Sequence, residues 1–375
     1  MIKVLTVFGT RPEAIKLAPV IRELERHPGL IDSRVCVTGQ HRELLDQMLE
    51  LFEIEPDYDL GVMAHDQSPN DVTVAVLAGL QNVLSIEQPD WLVIQGDTTT
   101  TMASGLGGFQ HGCRVAHVEA GLRTFDQRDP WPEEMNRRVA GIVADLHFAP
   151  TPASAENLLR EGVATERVYV TGNTVIDALI IAASMPFDSR GTALEGIPLD
   201  GKRIVVLTIH RRETSRRAIE EICSALASVA SSYDDVQIVC PVHPNPNVHE
   251  PVSAILGDAP NVSLLPPLDY RPMVWLLQRC HFVITDSGGL QEEAAAMGKP
   301  VLIIREKTER PEGVVAGTAA LVGTDRDAVK DWATRLLTDP ALYDRMARST
   351  DSYGKGDAAR QIVDILREYR TDARS

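Results

Sequence analysis

Cysteine is scarce and unpatterned: five residues, at 36, 113, 223, 240 and 280, odd in number and without a CxxC. That argues against a disulfide framework or a cysteine-based zinc site and fits a reducing compartment. No apolar run approaches the ~18 residues that span a bilayer. The opening MIKVLTVFGTRPE is interrupted by Arg11 and Glu13 too early for a signal-peptide core. The expectation is a soluble, cytoplasmic protein. Positive charge is in deficit, with 37 Lys and Arg against 53 Asp and Glu, a net charge of −16. Such a polyanion avoids nucleic acid and anionic lipid unless it concentrates cations locally. Fixed-period repeats, low-complexity tracts, HExxH, GxGxxG and a Walker lysine are also missing. The 375 residues, 44% hydrophobic and 24% charged, make an ordinary globular chain of roughly two domains.

What is there is rhythm. Short Val/Ile/Leu runs fall at 2–8, 34–38, 91–95, 114–118, 146–149 and 167–171, and the pattern restarts at 203–209, 236–240, 262–265, 282–285, 300–304 and 320–322. Apolar runs without polar alternation predict strands buried on both faces. Segments of helical period lie between them, such as 13–26, 41–52, 71–87, 153–161, 218–231 and 290–297. Alternating β and α at this spacing predicts an α/β chain of two doubly wound parallel sheets. The stretch 186–202, with two Pro and three Gly, reads as a linker or exposed loop, and a boundary near 170 is the alternative. An amphipathic helix over 357–370 ends the chain. Sheets of this kind bind ligands outside the carboxyl ends of their strands, which directs attention to the residues that follow each strand.

In the first half, 2–8 leads to Gly9-Thr10-Arg11-Pro12-Glu13, with Lys16 one turn on. Arg11 and Lys16 make an anion site together with free helix N–H groups, or are ordinary surface cations. Strand 91–95 leads to Gly96-Asp97 and four threonines; Asp97 is a carboxylate aimed at a ligand, or a helix N-cap. Strand 114–118 leads to Glu119, either a second such carboxylate or the partner of Arg123. Glu133, in Pro130-Trp131-Pro132-Glu133-Glu134, is the third candidate, or half of an i,i+4 pair with Arg137. In the second half, 203–209 leads to His210-Arg211-Arg212-Glu213, a group able to neutralise a departing phosphate or to move a proton near neutral pH. His243 and His249 lack metal-ligand spacing, and no metal is assigned. Strand 282–285 leads to Asp286-Ser287-Gly288-Gly289 and a helix carrying Glu292 and Glu293. Two glycines at a helix start let a pyrophosphate approach backbone amides, and an acidic residue one turn later suits a ribose diol. Arg305, Lys307 and Arg310 add positive charge after 300–304. A basic island in an acidic chain suggests a nucleoside diphosphate, with proton chemistry supplied from the first half.

The segments FGTRPEAIK (8–16), GDTTTT (96–101), HVEAGLRT (117–124), PWPEEMNR (130–137), GNTVIDA (172–178), HRRE (210–213), TDSGGLQEEA (285–294), GKPVL (298–302) and TERPEGV (308–314) resemble, in order, the non-hydrolysing UDP-N-acetylglucosamine 2-epimerases. The resemblance implies the GT-B fold, two Rossmann-like parallel-sheet domains with an interdomain cleft. Its boundaries would be 1–170 plus 365–375 for the acid–base domain and 171–364 for the UDP-binding domain. It implies interconversion of UDP-GlcNAc and UDP-ManNAc without NAD or metal, through elimination of UDP to 2-acetamidoglucal and re-addition, supplying ManNAc for bacterial surface polysaccharide. Carried over by motif, Asp97, Glu119 and Glu133 are acid–base candidates, with His210 at the leaving-group side. Arg11, Lys16, Ser287, Gly288, Gly289 and Arg310 would hold UDP, and Glu293 the ribose. An allosteric UDP-GlcNAc site would draw on Gln40, Gln47, Glu133, Arg211 and His243, and a homodimer is expected. The chain departs from the family where Thr214, Ser215 and Arg216 replace an Asn/Ser-x-Gly pattern, and where Leu268 and Met273 stand near the expected uracil site. A GT-B glycosyltransferase, a hydrolysing epimerase releasing ManNAc and UDP, and a non-catalytic nucleotide-sugar sensor are the competing readings.

Overall fold

The apolar runs become parallel strands in a computed structural model that describes residues 1–39, 42–64, 66–210, 214–308 and 310–369. The chain forms two compact units, 1–178 with 354–375, and 179–353.

In the first unit the strands are β1 (Ile2–Phe8), β2 (Ile31–Val37), β3 (Tyr58–Asp59), β4 (Trp91–Gln95), β5 (Arg114–Val118), β6 (Leu146–Ala149) and β7 (Val168–Val170). They lie in the order β3-β2-β1-β4-β5-β6-β7, every pairing parallel. β4 and β6 are buried along their whole length and β7 at the edge is not, as burial on both faces requires of central strands only. Leu5, Val7, Leu92, Ile94 and Val115 carry the core on one face. The order reverses direction between β1 and β4, which makes the mouths of those two strands the topological switch point.

The sequence-based division at 170 and 364 differs from the units at both ends. The turn and first helical residues after β7 bond within the first unit: Asn173 Nδ2 donates to Glu119 Oε1 at 2.8 Å, and Asp177 Oδ1 accepts from Ala359 N at 3.0 Å. Asp177 thereby anchors the start of helix Ala358–Glu368, so that whole helix belongs to this unit. At the helix's far end Tyr369 meets Trp91 edge-on, ring centroids 5.5 Å apart.

The second unit contains β8 (Arg203–Thr208), β9 (Val236–Pro241), β10 (Val262–Leu265), β11 (Phe282–Thr285), β12 (Val301–Ile303) and β13 (Ala319–Leu321) in the parallel order β10-β9-β8-β11-β12-β13. Side chains alternate between two cores. Ile204 and Val206 enter one, and Val205 and Leu207 the other. Here the switch point lies between β8 and β11. The five cysteines are free and buried. None of the described helices is long and apolar enough to cross a membrane.

Candidate functional site

The first unit builds its site at the mouths of β1, β4 and β5. Helix Arg11–Glu25 begins directly after Gly9-Thr10, with Pro12 in its first turn, where the missing N–H costs nothing. Gly9 is closely packed: a Cβ there would lie 2.0 Å from Thr38 Oγ1 and 2.8 Å from Thr100 Oγ1, so a larger residue would displace those side chains. Glu13, buried in that first turn, accepts from Gly9 N (3.0 Å) and Thr10 N (2.8 Å) through one oxygen. Through the other it accepts from Thr98 Oγ1 (2.7 Å) and Thr101 Oγ1 (2.9 Å). One carboxylate therefore ties the β1 turn to the β4 turn. Thr98, not Asp97, caps helix Thr99–His111, accepting from Thr101 N at 3.0 Å.

Asp97 is thus released from capping. Its backbone oxygen accepts from Asn136 Nδ2 at 3.0 Å, and its Oδ2 lies 2.9 Å from Arg137 Nη2. Preceding Asp97, Gly96 O is 2.7 Å from Nε2 of the fully buried His117. About 30% of the Asp97 side-chain surface stays open to solvent, so the carboxylate is recessed rather than sealed. Desolvation in that recess raises its pKa above the ordinary carboxylate value; Arg137 opposes this, Glu119 adds to it, Lys16 opposes it and Glu133 adds to it.

Glu119, the residue immediately after β5, has φ +61°, the left-handed region that a non-glycine residue rarely adopts. Such strain gathers at functional positions. Its carboxylate receives Lys16 Nζ at 2.6 Å on both oxygens, Gln95 Nε2 at 2.5 Å and Asn173 Nδ2 at 2.8 Å. Lys16, expected on the phosphates, is therefore bound to a candidate acid–base group. Arg123 does not take Glu119; it pairs with Glu161 at 2.9 and 2.7 Å. Glu133 opens helix Glu133–Val143 and is half-buried. Arg137 on that helix points to Asp97 rather than making the i,i+4 pair with Glu133, and its Nη1 lies 3.6 Å from Glu134. Glu134, fully buried, holds the backbone N–H groups of Thr124 (3.1 Å) and Phe125 (3.2 Å).

In the second unit, Ser287 caps helix Gly288–Ala296. A Cβ on Gly288 would lie 2.4 Å from Arg310 Nη1 and 2.7 Å from Arg310 Cζ. The guanidinium therefore lies across the helix N-terminus, held there by the buried Glu292. Cation and helix N–H groups set together in this way are suited to receive an anion. Thr308 Oγ1 receives Arg310 N at 3.1 Å. Of the two acidic residues, Glu292 is engaged by Arg310, and Glu293 is also buried. His210, just past β8, has its Nδ1 2.6 Å from Asp286 Oδ1. Asp286, one residue past β11, was not singled out from the sequence; its place at a strand end was the available signal.

Arg11 is half-buried at the first position of its helix, and Gln47 is exposed on helix Arg42–Phe52. His243 Nδ1 accepts from Asn245 N at 3.2 Å. Gln40 and Arg211 lie outside the described residues. At the departure after HRRE, Ser215 caps helix Arg216–Ser232, and Arg216 pairs with Glu220 and Glu250, each at 3.1 Å. Leu268 turns into the core, and Met273 is partly buried against the same core. Among the described residues no cluster of His, Cys, Asp and Glu is arranged to hold a metal ion.

A family model described as UDP-N-acetylglucosamine 2-epimerase matches residues 22–367. The chain is 50% identical over 373 residues to UDP-N-acetylglucosamine 2-epimerase of Escherichia coli (strain K12), covering 98% of this chain and 99% of the relative. The crystal structure of UDP-GlcNAc 2-epimerase from Neisseria meningitidis bound to UDP-GlcNAc matches with a TM-score of 0.90 at 45% identity, over 97% of this chain and 99% of that one. The enzyme from Methanocaldococcus jannaschii in complex with UDP-GlcNAc and UDP matches with a TM-score of 0.81 at 31% identity, over 97% and 99%. The two Rossmann-like units are those of the GT-B architecture. The chain belongs to the UDP-N-acetylglucosamine 2-epimerase family.

Proposed function

We propose that the protein interconverts UDP-GlcNAc and UDP-ManNAc by eliminating and re-adding UDP. The observation that carries this reading is the pair of carboxylates at the mouths of β4 and β5, Asp97 and Glu119, set beside Lys16 and Arg137 in a chain of the epimerase family. No carbonyl adjoins C2 of the sugar ring, so direct deprotonation has no enolate to run through. Elimination avoids this. The C1–O bond breaks with its electron pair going to the β-phosphate oxygen of UDP, the C2 proton passes to a base, and 2-acetamidoglucal remains. In the return, UDP oxygen adds to C1 and a proton reaches C2 from the opposite face. Nothing is oxidised or reduced.

This route needs acid–base groups for both faces of C2 and stabilisation of an oxocarbenium-like transition state and a departing diphosphate. Asp97, Glu119 and Glu133 are the groups we assign to proton transfer. The upward shift of Asp97, caused first by desolvation, favours its protonated form, as suits a carboxyl that must both give and take a proton. Lys16 holds Glu119 in place and offers charge to a phosphate, with Arg11 at the start of the same helix. Arg310, Ser287 and the Gly288-Gly289 helix start receive the diphosphate, Glu293 the ribose, and His210 the leaving-group side. The UDP-GlcNAc bound in the Neisseria and Methanocaldococcus relatives supports UDP-GlcNAc as the substrate. We also assign a homodimer, supported by the exposed Met135 and Ile142 on helix Glu133–Val143. A regulatory UDP-GlcNAc site drawing on Gln40, Gln47, Arg211 and His243 completes the reading. The product would feed surface-polysaccharide synthesis.

The test is direct. The purified protein, given UDP-GlcNAc and followed by phosphorus and proton NMR, should yield an equilibrium mixture with UDP-ManNAc. Accumulating free ManNAc and UDP would instead identify a hydrolase, and an unchanged spectrum would remove the proposal.

A further inference from the structure

His210 and Asp286 emerge from adjacent strands. Thr208 and Thr285 pair in register at the ends of β8 and β11, and their hydroxyls are 2.6 Å apart. Two residues past Thr208 stands His210, and directly after Thr285 stands Asp286, so the pair occupies the switch point of the second sheet. Asp286 is fully buried, whereas the His210 side chain is 43% exposed. The carboxylate accepts from His210 N at 3.0 and 3.2 Å on its two oxygens, and Oδ1 also faces His210 Nδ1 at 2.6 Å. A carboxylate accepts and does not donate, so the ring nitrogen facing it must carry the hydrogen.

A carboxylate at this place sets a negative charge against the ring, which a neutral Asn accepting the same backbone amide would not. We propose that Asp286 is the positioning residue for His210: it fixes the imidazole as the Nδ1–H tautomer and leaves the lone pair on Nε2 of this part-exposed side chain. Only that tautomer lets Nε2 take a proton and return it, and the charge of Asp286 faces the imidazolium while the proton is held. The catalytic part of this inference rests on the proposed role of His210 in the epimerase reaction; the tautomer does not.

The experiment uses full-length protein with 15N-labelled histidine at pH 8, the His210 signals being assigned with H210Q. In the wild type, long-range proton–nitrogen correlations should identify His210 as Nδ1–H. In D286N the side-chain amide can turn its NH2 toward the ring, so His210 should switch to Nε2–H. The kcat should fall by at least ~100-fold, the scale of acid–base catalysis, while the UDP Kd stays within about threefold, since tautomer and not nucleotide contact is changed. A wild-type His210 already in the Nε2–H form overturns the proposal, and this arm stands even if D286N fails to fold. An unswitched tautomer in D286N, or a switched one with unchanged kcat, overturns it too. Full activity of H210Q would overturn the assigned role of His210 in the reaction and is distinguished from these outcomes by the tautomer measured in the wild type.

Discussion

Lys16 Nζ sits 2.6 Å from both carboxylate oxygens of Glu119, two residues separated by 103 positions in the chain. The first helix thus delivers a cation onto a strained strand-end carboxylate that Gln95 and Asn173 also grip. A group held this firmly is oriented before substrate arrives, and pre-orientation is a large part of what a site contributes to rate.

E119Q and D97N should each lower kcat by at least ~100-fold, the usual scale for removing an acid–base group. UDP affinity should stay near the wild-type value, because neither side chain is assigned to the nucleotide. Steady-state kinetics paired with UDP titration calorimetry checks this. A fully active variant would remove that carboxylate from the reaction.

Arg137 predicts a pH effect with a fixed sign. Its guanidinium pulls the Asp97 pKa down against desolvation. In R137M that pull is gone, so Asp97 holds its proton to higher pH. The limb of the kcat/KM profile that belongs to Asp97 should move upward in pH, and R137K should restore most of the wild-type position. A limb that stays put in R137M would show that Asp97 does not titrate in the reaction.

Much of this site was legible because strand ends are. The buried runs 91–95 and 114–118 announced where Asp97 and Glu119 would emerge, and β4 and β5 occupy those residues. What could not be read was which partner each side chain takes. Asp97 read first as a helix cap until Thr98 proved to hold that place, and Arg123 competed for Glu119 until Glu161 proved to hold it. Glu13, Asn136, Asn173 and Asp286 act through contacts that join distant segments, and no local pattern encodes such contacts. β3 is two residues long, too short to leave a periodic signal. The division of the chain fell where Asp177 receives Ala359, again a contact between distant segments.

Gly288 predicts a selective loss of nucleotide binding. Arg310 is tethered to Glu292 and cannot withdraw freely from a new methyl group 2.4 Å from its Nη1. G288A should weaken UDP binding about 10-fold, equivalent to ~1.4 kcal/mol. The fold should survive, since alanine is favoured over glycine within a helix. Unchanged UDP affinity would contradict an anion site at this helix start.

His117 and His147 predict acid sensitivity in the first unit. Burial depresses their pKa values to about 4 and about 3. Both rings are neutral in the folded state where the unfolded chain would already be charged, so their stabilising contribution is present above pH ~6.5 and is lost as pH falls toward 4. For His117 alone the loss between pH 7.5 and 5 is about 2 kcal/mol. Urea unfolding of wild type and H117Q at those two pH values should show a smaller acid loss in the variant by about that amount. Equal losses would contradict a neutral buried ring.

The central claim is that the C2–H bond breaks while UDP is detached, and hydrogen exchange tests it most directly. The protein is incubated with UDP-GlcNAc in heavy water, and the C2 position of recovered nucleotide sugar is read by NMR. The account predicts deuterium at C2 in the UDP-ManNAc formed and, at equilibrium, in the UDP-GlcNAc as well. UDP-ManNAc that forms while retaining its original C2 hydrogen would contradict it.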